Sequence, residues 1–75
     1  MQNGIEKELL KEISGRLVVK KEELIRFLEN KGENTQILDR VMKDLYSRGL
    51  ITYVTPIGQT CYAITQRGMK KVGQI

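Results

Sequence analysis

The chain has no histidine and no tryptophan, one cysteine, one proline, and three tyrosines and one phenylalanine as its only aromatics. Without imidazole there is no His-based catalytic dyad and no usual zinc ligand set, and the single thiol, Cys61, cannot close an internal disulfide. Paired acids at catalytic spacing and a phosphate-binding glycine loop are also missing, so an enzyme, a metal and a cofactor are not expected. No run of about 18 apolar residues is present to span a bilayer. The opening Met1-Gln2-Asn3-Gly4, followed by the charged Glu6-Lys7-Glu8, lacks the apolar core of a secretory signal. The expectation is a cytoplasmic, nucleoid-associated protein with no membrane and no small-molecule substrate.

What is present amounts to one small domain, residues 1–75, with a net charge of +4. The charge is unevenly spread. In residues 1–33 the seven bases are offset by seven acids, whereas from residue 34 onward six bases (Arg40, Lys43, Arg48, Arg67, Lys70, Lys71) face only Asp39 and Asp44. The whole excess lies in the second half, and a polyanion is the partner it predicts.

The stretch Asn34 to Gly49 carries two opposed faces. At 100° per residue, Ile37, Leu38, Val41 and Leu45 share one arc with Met42 at its edge, the apolar stripe of a core-facing helix over 34–48. Gln36, Asp39, Arg40, Lys43 and Ser47 fall opposite. These hydrogen-bonding and cationic side chains suit base edges and flanking phosphates, whereas the bland alternative is a solvated helix face.

Around that helix the chain reads in order. Ile5, Leu9, Leu10 and Ile13 predict a first helix over 5–14 with a glycine stop at Ser14-Gly15. Arg16-Leu17-Val18-Val19 predicts a short strand that pairs with a later hairpin. Leu24, Ile25 and Leu28 predict a second helix over 20–31, with Glu22 and Glu23 in its first turn and Gly32 as its left-handed stop. Glu33-Asn34-Thr35 supplies the cap for the next helix, so the pair forms a helix-turn-helix. Leu50 to Thr55 and Thr60 to Thr65 predict a β-hairpin, its turn made by Thr55-Pro56-Ile57-Gly58, with Pro56 presetting φ and Gly58 taking φ > 0. Thr65 caps a last short helical segment, Met69 to Val72. Tyr53, Tyr62 and Ile64 read as core. Phe27 and Tyr46 sit at stripe edges, as rim packing or a dimer surface, and Cys61 reads as a small packing residue.

Helix, strand, helix, turn, helix and hairpin is the order of the winged helix-turn-helix fold. Leu45-Tyr46-Ser47-Arg48-Gly49-Leu50-Ile51, followed by Tyr62-Ala63-Ile64-Thr65-Gln66-Arg67-Gly68, is similar to the "L-x-x-x-G-L-I … Y-x-L-T-x-x-G" signature of small prokaryotic winged-helix regulators, archaeal and archaeal-virus ones among them. The resemblance implies an α+β fold with a three-helix core, a C-terminal β-hairpin wing and a short terminal helical segment. It implies that the second helix of the helix-turn-helix enters the major groove, so that Thr35, Gln36, Asp39, Arg40 and Lys43 become base and phosphate readers. Lys20 and Lys21, at the head of the preceding helix, would clamp phosphates. The wing of this chain, Thr55 to Thr60, has no Arg or Lys, unlike the basic wing tips of many relatives, which leaves Gln59, Thr60 and backbone amides to meet phosphate.

The expected function is a sequence-specific double-stranded DNA-binding protein, a transcriptional regulator acting as a homodimer. The competing expectation is a protein-interaction module or subunit of a larger assembly that never touches DNA. The uncharged wing and Asp39 favour the second, and the charge excess favours the first.

Overall fold

A computed structural model of the chain describes residues 2–55 and 58–73. It is an α+β fold: α1 (Gln2–Arg16), β1 (Val18–Lys20), α2 (Lys21–Asn30), α3 (Ile37–Ser47), β2 (Ile51–Val54), β3 (Cys61–Ile64) and α4 (Gln66–Gly73). The strands form one antiparallel sheet in the order β1-β3-β2. Val19 lies opposite Tyr62 and Tyr62 opposite Tyr53, so these three side chains share one face of the sheet. The hairpin of β2 and β3 and the pairing of β1 with it follow the sequence expectation. The expected turn at Pro56-Ile57 lies outside the described residues, while Gly58 takes the positive φ assigned to it (76°).

Helical spacing brings Ile5, Leu9, Leu10 and Ile13 of α1, Leu24 and Leu28 of α2, and Leu38, Val41, Met42 and Leu45 of α3 into one apolar core with Val19, Leu50, Ile51 and Tyr62. Helix α1 packs against β1, β3 and α4, α2 against β1, and α3 against β2. Cys61 is buried but stands outside this cluster, on the opposite sheet face between Lys20 and Val54.

Several expectations shift. Helix α1 does not stop at Gly15. It runs to Arg16, whose guanidinium bonds Glu12 one turn back at 2.7 Å and Glu23 of α2 at 3.1 Å. The left-handed residue that ends it is Leu17, at φ 71°. Its N–H still reaches the Ile13 carbonyl, and its own carbonyl accepts from Ile64 of β3. Sheet pairing therefore fixes the point where the chain leaves the helix, at a cost of about 1–2 kcal/mol for a non-glycine residue there. The first strand is consequently Val18–Lys20 rather than 16–19, and Lys20 both ends this strand and serves as the N-cap residue of α2.

Helix α4 is longer than expected, beginning at Gln66. Tyr53, expected in the core, is 41% exposed. It stands on the edge strand β2, whereas its register partner Tyr62, on the central strand β3, is covered by the core.

Candidate nucleic-acid interface

Helix α3 is bounded at both ends by local chemistry. Its regular part starts at Ile37, so Thr35 and Gln36 belong to the turn before it rather than to the helix expected over 34–48. Asn34 builds that turn: its side-chain oxygen accepts the Gln36 N–H (2.9 Å) and its carbonyl the Ile37 N–H. At the other end Gly49 takes φ 75°, and its N–H bonds the Tyr46 carbonyl while the Leu50 N–H bonds that of Leu45. This is a Schellman stop, and Leu45 and Leu50 are both buried where it brings them together.

The residues of the family-like signature hold that stop to α4. Thr65 Oγ1 accepts the Gly68 N–H (3.0 Å) as the N-cap of α4, and donates to the Gly49 carbonyl (2.7 Å). Arg67 donates to the Arg48 carbonyl, and the Thr65 N–H to that of Leu50. Gly68 permits the approach, since a Cβ there would lie 2.1 Å from the Leu50 carbonyl oxygen. The signature is thus a clasp that fixes where α3 ends and how the hairpin leaves it.

The outward side of α3 is as the helical spacing predicted: Gln36, Asp39, Arg40, Lys43 and Ser47 are all exposed, and Thr35 is half-buried at the entry turn. Among the described residues Arg40, Lys43 and Lys20 make no ion pair, leaving three cations available. The remaining candidates are more constrained. Lys21, expected as a free phosphate clamp, pairs with Asp39 (Nζ to Oδ1, 3.1 Å), tying the start of α2 to the first turn of α3. The same pair takes up the Asp39 carboxylate, expected among the base and phosphate readers. Both side chains are well exposed, so the pair contributes only about 0.2–1 kcal/mol and a phosphate can displace Asp39 at that cost. The Ser47 hydroxyl donates back to the Asp44 carbonyl (2.9 Å). Arg48, expected in the cationic footprint, is held by Glu6 and by Asp44 (2.9 Å).

Both acids of the second half are therefore spent on ion pairs, and the cations of α3 face water with no unpaired acid on their own helix. At the hairpin, Gln59 and Thr60 are exposed, and the Thr60 carbonyl accepts the Lys21 N–H (3.1 Å), which ties the tip end of the hairpin to the start of α2. The Lys20 N–H donates to Glu23 (2.9 Å), and with Arg16 this holds the Glu23 carboxyl below its usual range.

Between α3 and the hairpin lies a feature that the spacing of residues did not reveal. The Tyr46 ring sits 4.8 Å from that of Tyr53, which sits 5.5 Å from that of Tyr62. The ladder runs from exposed to buried: Tyr46 is 49% exposed and Tyr62 only 2%. Burial, with Asp39 and Tyr53 adding to it, pushes the Tyr62 phenol up to about 12. Strand alternation places Tyr53 and Tyr62 on one face, but the meeting of Tyr46 with Tyr53 depends on how α3 crosses β2.

No group of acids, histidines or cysteines able to hold a metal occurs among the described residues, and no helix among them is long and apolar enough to cross a membrane. No family model, curated protein or solved structure matches the chain.

Proposed function

We propose that the chain is a winged helix-turn-helix protein that binds double-stranded DNA, with α3 in the major groove, and that it serves as a transcriptional regulator. The observation that carries this reading is the outward face of α3. Arg40 and Lys43 project from a helix whose opposite side is locked into the core, Gln36 stands at its entry turn, and both acids of the second half are already neutralised. Arg40 is suited to fork to a guanine and Gln36 to an adenine, each bidentate contact giving about 1–3 kcal/mol of discrimination. Lys43 and Lys20 supply phosphate contacts that position without specifying, and the neutral hairpin tip adds backbone amides rather than charge. A two-fold site would require two copies, each presenting one α3.

Fluorescence anisotropy with random duplex across a salt series tests this reading. Three available cations, Lys20, Arg40 and Lys43, give an expected log-log salt slope of about −3. On a random duplex, where Arg40 has no fixed guanine to read and meets phosphate as Lys43 does, Arg40→Ala and Lys43→Ala should each weaken binding and reduce the slope by about 1. Absence of binding at about 50 mM salt, where such contacts are strongest, would overturn the reading.

A second reading, a protein-interaction module, is favoured by one observation. Leu17 and Val18 (57% and 52% exposed) and Val54 leave apolar surface uncovered at the sheet. Partner capture after a null DNA result would pursue it.

A further inference from the structure

We infer that Tyr46 and Tyr53 form a stacking platform for an unpaired nucleobase, so that the chain binds single-stranded nucleic acid as well as duplex. The inference rests on the polyanion reading of α3 and adds to it a second class of substrate. Two of the chain's four aromatic side chains stand half in water, 49% and 41% exposed, with their rings in contact at 4.8 Å. A pair needed only for packing has no reason to leave both rings so open. Tyr62 shows the contrast, since it continues the same ladder and is buried.

The surroundings suit a nucleic-acid strand. Lys43 lies three residues before Tyr46, on the same side of α3, and has no acidic partner among the described residues. Asp39, one turn before Lys43 on α3, is neutralised by Lys21. Tyr53 rests on the buried Tyr62 and is anchored in the sheet, so the platform costs little to order. Exposed aromatic rings beside a cationic track are the chemistry by which unpaired bases are held: the π-face of any base stacks while lysine or arginine follows the phosphates. A paired base is already stacked in its own duplex, so the platform selects strands or bulges whose bases are free.

The test is fluorescence anisotropy at low salt with three probes of equal length, about a dozen nucleotides: oligothymidine, the same phosphodiester chain without bases, and a random duplex. Wild type should bind oligothymidine about 5- to 150-fold more tightly than the abasic chain, the range that one stacked base supplies. Because the chain has no tryptophan, its tyrosine emission should also fall when oligothymidine binds and not when the abasic chain does. Tyr46→Leu and Tyr53→Leu keep an apolar cover but remove the ring, and each should shrink the gap while leaving the salt slope unchanged. Equal affinity of wild type for the two single-stranded probes, with duplex still bound, would overturn the platform and leave the α3 reading standing. Failure to bind any of the three would overturn both. The wild-type comparison decides the question even where a leucine variant fails to fold.

Discussion

Asp39 sets how much of the cationic surface is available. Its carboxylate holds Lys21 at 3.1 Å, and both side chains lie in water, where such a pair is weak. Asp39→Asn should therefore leave stability within about 1 kcal/mol, while freeing Lys21 and removing a like charge from the path of a phosphate. Duplex binding in the same salt series should tighten, and the slope should steepen by about 1. An unchanged slope would mean that Lys21 does not meet the polyanion. Tyr62 gives a second residue-scale prediction. Its folded pKa, about 12, lies above the ordinary 10, so the folded state keeps the proton that the unfolded state loses between them. Stability is thus unaffected below about pH 10 and falls as pH rises toward 12, by on the order of 2–3 kcal/mol from this group. Urea unfolding across that window should show the loss in wild type and a shallower one in Tyr62→Phe.

At the scale of elements, the clasp between α3 and α4 decides whether the outward face of α3 is presented at all. Gly68→Ala would drive a Cβ against the Leu50 carbonyl, a contact between helix and backbone that no side-chain rotation relieves. About 3 kcal/mol should be lost. Gly15→Ala is the control: it lies inside α1 with nothing within 4 Å of its Cβ position, and should gain about 0.5–1 kcal/mol through helix propensity. Thermal unfolding of the two variants should move in opposite directions. Much of this scale was legible in the sequence. Apolar spacing located the core stripe of α3, Gly32 and Gly49 marked helix ends, and β-branched runs marked the hairpin. The end of α1 was not legible, because Gly15 has the local character of a stop while the pairing of Leu17 with Ile64 is a non-local constraint. The tyrosine ladder was hidden for the same reason: Tyr46 and Tyr53 are seven residues apart across a helix end, and only the crossing of α3 over β2 joins them.

For the whole molecule, the uneven charge read from the sequence becomes sharper once ion pairs are assigned. Arg16, Lys21, Lys31 and Arg48 are engaged by acids, while Lys20, Arg40 and Lys43 around α3, and Lys70 and Lys71 on α4, make no ion pair among the described residues. The sequence alone overstated the footprint, since it could not show that Glu6 of α1 reaches Arg48, forty-two residues away. A modest patch of this kind gives moderate, salt-sensitive affinity for one module, and tighter selectivity would have to come from pairing two. The central claim is that the outward face of α3 meets the duplex. Titrating ¹⁵N-labelled protein with a random duplex at low salt and following each backbone amide tests it most directly. The expected result is a set of shifts running through Asn34–Ser47 and around Lys20 and Lys21, abolished together by Arg40→Ala combined with Lys43→Ala. Shifts confined to α1 or to Gln66–Gly73, with the amides of α3 unmoved, would contradict it.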